Sequence, residues 1–163
     1  MTQVITAVEP LELDGVFKLD GAFSVFLAGA IDMGSAVNWQ SYVISKLQDY
    51  HDDLILVNPR RPKFTPDTLD EQIYWELNAL DEVDVVFMWF PKDAKAPISF
   101  LETGLYFNSN KIVLGAEEGF YRRRNLEITS RLCDEPLLND LDTMILEIVC
   151  RYEEYREAKI DHG

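Results

Sequence analysis

The chain has 163 residues, enough for one domain with a real core. Apolar residues make up 47% and charged residues 27%, which reads as a globular chain without a composition bias. Asp plus Glu (29) outweighs Lys plus Arg (15), giving a net charge of −14 that repels a phosphate backbone and argues against general nucleic-acid binding. No apolar run is long enough to cross a bilayer, and Met1 to Pro10 carries no Lys or Arg, so no secretory leader or membrane partner is expected.

Residues 1–22 carry weak pattern and are expected as an extended arm or an edge hairpin. Residues 23–163 are expected as a single domain. Phe23 to Ala28 is a short apolar run ending at Gly29, which suits a buried strand and a tight turn. Trp39 to Tyr50 has apolar residues at helical spacing. Leu54 to Val57 is a second strand, stopped by Asn58-Pro59. Thr68 to Leu80 reads as a helix with Leu69, Ile73, Trp75, Leu77 and Leu80 as its inward set. Val83 to Phe90 is apolar almost throughout, as a strand covered on both faces should be.

Pro97 to Asn108 is a helix with proline in its first turn. Lys111 to Leu114 is a fourth strand, Tyr121 to Cys133 a helix, and Pro136 to Leu138 a short fifth strand. Asn139 or Asp140 caps a last helix whose stripe is Leu141, Ile145, Ile148 and Tyr152. Strand and helix alternate about five times. The fold class is therefore α/β: a three-layer sandwich on a central, mostly parallel five-stranded sheet, flavodoxin- or Rossmann-like. In such folds the site lies at the carboxyl ends of the strands, which Gly29, Asn58, Phe90 and Gly115 mark here.

Glu102 follows the third of those ends. On a helix its neighbours one turn away are Ile98, Ser99, Leu105 and Tyr106. An idle carboxylate is costly among such neighbours, whereas a nucleophile or general base is at home there. A solvent-facing Glu on an amphipathic helix is the competing reading. Cys133 and Cys150 have no CxxC spacing, and the two histidines, His51 and His162, make no metal-ligand pattern, so neither a zinc site nor a Ser-His-Asp triad is expected. Reduced cysteines suit the cytoplasm. Ala28-Gly29-Ala30 is neither a dinucleotide nor a P-loop motif.

Phe26-Leu27-Ala28-Gly29-Ala30-Ile31, the strand Val83 to Phe90, and Leu101-Glu102-Thr103-Gly104-Leu105 together resemble the nucleoside 2-deoxyribosyltransferase family. Asn58-Pro59-Arg60-Arg61 and Arg124-Asn125-Leu126 look like a branch of it encoded by phages and bacteria. The resemblance runs over roughly residues 23 to 150, trusted to element boundaries. It implies that Glu102, in a Glu-x-Gly motif, attacks C1′ of a deoxyribose. It also implies that Glu76 exchanges a proton with the base, and that Asn125 completes a neighbouring subunit's sugar pocket in a homo-oligomer. No cofactor and no metal are implied.

Phe26, Gly29, Asp32, Trp39, Asn58, Arg60, Ser99 and Arg124 are the further candidates for contact with a nucleoside or its monophosphate. Arg60 and Arg124 belong to two basic spots that could hold a phosphate. Surface ion pairs are the plainer reading of these arginines, an exposed helical Glu that of Glu76, and a helix N-cap that of Asn125. Two departures stand out. Phe26 occupies a place where many relatives carry tyrosine, and Ala96 lies six before Glu102, where many carry an acid or serine. Ser99 or Asp93 could substitute. Cleavage of an N-glycosidic bond, with transfer to another base or to water, is thus expected, against a non-catalytic nucleotide-binding module on the same fold.

Overall fold

The computed structural model describes residues 1–6, 21–32, 35–51, 53–61 and 66–161. Six strands form one sheet: β1 (Gln3–Thr6), β2 (Phe23–Gly29), β3 (Leu54–Asn58), β4 (Val85–Phe90), β5 (Ile112–Ala116) and β6 (Leu137–Leu138). Five α-helices connect or follow them: α1 (Trp39–Leu47), α2 (Leu69–Glu82), α3 (Pro97–Tyr106), α4 (Arg123–Leu132) and α5 (Leu141–Asp161). The sheet order is β1-β3-β2-β4-β5-β6, and every neighbouring pair is parallel. Without β1 the order is that of a flavodoxin-like sheet, whose switch point falls between its first and third strands, here β2 and β4.

The expected five strands are thus six. The additional one lies in the N-terminal segment, where Gln3–Thr6 pairs in parallel with Ile55–Asn58 at the sheet's edge. An edge strand of four residues, with two exposed and two half-buried, has no alternation strong enough to announce itself. Most of the segment read as an arm or hairpin, residues 7–20, lies outside the described residues, as does His162.

Alternate residues of β2 and β4 feed two cores, as the two-residue period of a strand requires. Phe26, Ala28, Val86, Met88 and Phe90 pack under α2, α3 and α4. Val25, Leu27, Val85, Phe87 and Trp89 pack under α1 and α5. β2 and β4 lie so close that Gly29 (φ +136°) has no room for a side chain: a Cβ there would run into the backbone nitrogen and carbonyl oxygen of Trp89. The helix caps follow the sequence. Asn38 accepts from the Ser41 N–H at the start of α1, and Asp140 from the Thr143 N–H at the start of α5.

α2 is turned differently from its expected apolar set. Leu69, Ile73 and Leu77, at i, i+4 and i+8, face outward and are 37–44% exposed. Gln72, Trp75, Ala79 and Leu80 face the core. α3 is turned the same way. Its buried face is Ser99, Glu102, Thr103 and Tyr106, while Ile98, Leu101 and Leu105 are about 60% exposed. Both helices turn polar groups inward (Gln72 on α2; Ser99, Glu102 and Thr103 on α3) and leave several large apolar side chains outward, unlike an ordinary surface helix.

Candidate active site

α3 starts at the switch point in an unusual way. Its N-cap, Ala96, is buried, sits in the left-handed region (φ 48°, ψ 49°), and has no side chain able to cap. A side chain from the β2 end instead fixes the backbone that leads into the helix. The Asp32 carboxylate accepts the Ala96 N–H and the Lys95 N–H, both at 2.9 Å. A carboxylate at a helix N-terminus also opposes the positive end of the helix dipole. Asp32 itself is left-handed (φ 46°). Two non-glycine residues thus hold costly backbone at the junction that sets the start of α3.

Glu102 lies in the second turn of α3, only 7% exposed, and is the one charged residue of that helix. Glu76 reaches the same space from α2 and is half-buried. Burial raises the Glu102 carboxyl to about 8, and the negative charge of Glu76 adds to the rise. Burial also raises Glu76, against a hydrogen bond from Gln72 and the nearby positive charge of Arg61. The arrangement is a pair of desolvated carboxyls with unequal support: Gln72 and Arg61 favour the charge on Glu76, while the Glu102 carboxyl is pushed toward its protonated form. Such a pair can supply an oxygen nucleophile and a proton donor together.

Gln72 was not singled out by sequence reasoning. It lies one turn before Glu76, and its Nε2 donates to Glu76 Oε1 and, at 3.4 Å, to the Pro59 carbonyl oxygen. Its i to i+4 spacing from Glu76 was the available signal. Pro59 follows Asn58, whose Oδ1 accepts the Arg60 N–H at 3.0 Å and shapes the turn after β3.

The remaining expected residues fall in several places. Ser99 is buried on the same face of α3 as Glu102, one turn earlier. Phe26 is core, its ring 6.2 Å from Trp75. Trp39 is buried, donates from Nε1 to the Ala30 carbonyl oxygen at 3.0 Å, and stacks on Phe87. Arg60 donates to the Ala36 carbonyl oxygen at 2.8 Å and reaches Gln40, so it ties the β3 end to the loop before α1. Arg124 is 69% exposed and pairs with Glu127. Asn125 is exposed in the first turn of α4, whose N-cap position is held by Arg122 without a side-chain capping bond. Asp81 and Asp84, before β4, accept from the Tyr106 hydroxyl and from Ser24 respectively.

A cleft of about 700 Å³ also opens at the switch point, on the α1 and α5 side, with Asp32, Trp39, Trp89 and Asp142 in its wall. Neither Glu102 nor Glu76 lines it. The perturbed carboxyls lie instead under α2 and α3. His51 stands before β3, at the opposite ends of the strands, beside Tyr50, Tyr152 and Arg156. Among the described residues no three His, Cys, Asp or Glu side chains are placed to hold a metal ion, and no helix is long and apolar enough to cross a membrane.

Residues 22–120 match the family model described as nucleoside 2-deoxyribosyltransferase like. The chain belongs to that family. The comparison with curated proteins returns no match. The span matched to the nucleoside 2-deoxyribosyltransferase-like family runs from the residue before β2 to the loop after β5. It therefore contains Asp32, the Asn58 to Arg61 turn, Gln72, Glu76 and Glu102, while Arg124 and Asn125 fall beyond it.

Proposed function

We propose that the protein cleaves the N-glycosidic bond of 2′-deoxynucleosides or their monophosphates, with Glu102 as nucleophile and Glu76 as general acid. The observation that carries this reading is the buried pair itself: two carboxyls from adjacent helices in one desolvated space, the charge of one raising the proton affinity of the other. In the first step a Glu102 oxygen bonds to C1′, the bond from C1′ to the base nitrogen breaks, and the Glu76 proton passes to the departing base. In the second, another base or water attacks C1′, Glu102 is released as carboxylate, and the incoming nucleophile's proton returns to Glu76. Ser99, beside Glu102, is positioned to meet the sugar. Neither step calls for a metal or an organic cofactor.

The working form is a homo-oligomer. Ile73, Tyr74 and Leu77 on α2 and Ile98, Leu101 and Leu105 on α3 are 37–63% exposed on one layer of an otherwise highly charged chain. At those exposures they offer on the order of 700 Å² of apolar side chain, more than a monomer usually leaves bare and near the ~800 Å² each partner gives a standard interface. A second copy applied to this face would cover the two helices that carry the carboxyl pair. The thiols of Cys133 and Cys150 are unpaired, which suits a reducing cytoplasm.

Chromatography of the purified protein with each 2′-deoxynucleoside and each monophosphate, with and without a different free base, tests the reading. A new deoxynucleoside means transfer; free base with deoxyribose means hydrolysis. Glu102→Ala should abolish either while leaving circular dichroism unchanged. No product from any substrate would leave a nucleotide-binding module in its place.

A further inference from the structure

We propose that Gln72 reads the departing base, favouring bases whose proton-accepting ring nitrogen lies beside an exocyclic amine. This rests on the reading of Glu76 as general acid. Gln72 is only 7% exposed, on the core-facing side of α2. Its Nε2 is committed to Glu76 and the Pro59 carbonyl oxygen. Its Oε1 is buried and has no hydrogen-bond partner among the described residues. A buried acceptor left open costs stability that an apolar side chain of similar shape would not. The group that would complete it is a donor brought by a ligand.

The neighbouring carboxyl defines what that ligand must look like. Gln72 donates to Glu76 Oε1, so a proton that Glu76 takes up for transfer to the base sits on Oε2. α2 then presents an O–H donor at Glu76 and, one turn earlier, a carbonyl acceptor at Gln72. An adenine edge (N7 beside the 6-amine) or a cytosine edge (N3 beside the 4-amine) meets donor with acceptor and acceptor with donor. In hypoxanthine a carbonyl oxygen replaces the amine and opposes Gln72 Oε1. In uracil the corresponding ring nitrogen already carries a hydrogen and cannot take the Glu76 proton. A site that pairs with a donor discriminates strongly against an analogue lacking it.

The test compares kcat/KM for deoxyadenosine against deoxyinosine, and for deoxycytidine against deoxyuridine, in the parent and in Gln72→Met. The parent should prefer the amino base by about 10-fold or more. Gln72→Met should bring the deoxyadenosine to deoxyinosine ratio near unity, which a merely structural role would not do, and should shrink the deoxycytidine preference only in part, because the ring N–H of uracil still opposes the Glu76 proton. Equal use of amino and keto bases by the parent, or an unchanged preference in Gln72→Met, overturns the proposal.

Calorimetry of free adenine and hypoxanthine on Glu102→Gln, with the nucleophile removed, separates this inference from the cleavage reading. Tighter adenine binding that disappears on adding Gln72→Met supports it even if no nucleoside is cleaved. Equal binding, or no binding of either base, sinks it even if nucleosides are cleaved.

Discussion

Glu102 on α3 and Glu76 on α2 share one desolvated space, and the charge of Glu76 raises the proton affinity of Glu102. The pair is therefore a place where folding and chemistry oppose each other. Removing a charge from such a site relieves the fold even as it removes the proposed nucleophile.

Stability should depend on pH through this pair. The Glu102 carboxyl is near 4.5 when exposed and about 8 when folded, so between those values the folded state binds the extra proton. Stability from this group is full below about 4.5 and is lost as pH rises through 8. Glu102→Gln, which needs no proton, should melt several degrees above the parent at pH 9 and close to it at pH 5. Thermal melts at the two values check this; a variant less stable at both would contradict it.

Activity should be bell-shaped in pH. In the proposed cycle the reacting form holds one proton on the pair, which passes from Glu102, where burial and the Glu76 charge favour it, to Glu76. Above about 8 that last proton leaves, so kcat/KM should fall there. In acid both carboxyls are protonated and the nucleophile is lost. A profile of kcat/KM from pH 5 to 10 that keeps rising beyond 8 would mean that no shared proton is needed.

The outward faces of α2 and α3 should hold two copies together. Leu101→Lys with Leu105→Glu puts charges into the centre of that surface, and sedimentation velocity should show the assembly reduced to monomers. Leu146→Lys, on α5 at 64% exposed, is the control and should leave the assembly intact. A parent that sediments as a monomer at micromolar concentration would end this assignment.

Gly29 should tolerate no side chain. With φ at +136° and the Trp89 backbone filling the space a methyl would need, Gly29→Ala must push β2 from β4. A loss of roughly 2–3 kcal/mol or more in urea unfolding is expected. A change under about 0.5 kcal/mol, the size of an ordinary surface substitution, would show that the strands move apart freely.

The sheet was legible in the sequence because β2 and β4 are continuous apolar runs with clear stops at Gly29 and Pro91. β1 was not, since four edge residues make no pattern. Glu102 and Glu76 could be read from motif order, and they do converge. The facing of α2 could not: Ile73 and Leu77 fit an inward stripe by spacing, but Gln72, Trp75, Ala79 and Leu80 take the inward side, and spacing alone does not choose between the two stripes. Asp32 was read as a ligand contact. Both of its oxygens accept backbone N–H groups 63 and 64 residues away, a partnership no local pattern encodes.

That Asp32 bridge makes two backbone amides into a clock. The N–H groups of Lys95 and Ala96 are held by one side chain from another strand end, not by a helix ladder. Their hydrogen exchange therefore times the parting of the β2 loop from α3 without requiring α3 to unwind. A slow rate would mean a switch point that stays shut between turnovers; a rate that slows further when a nucleoside is added would record closure around it.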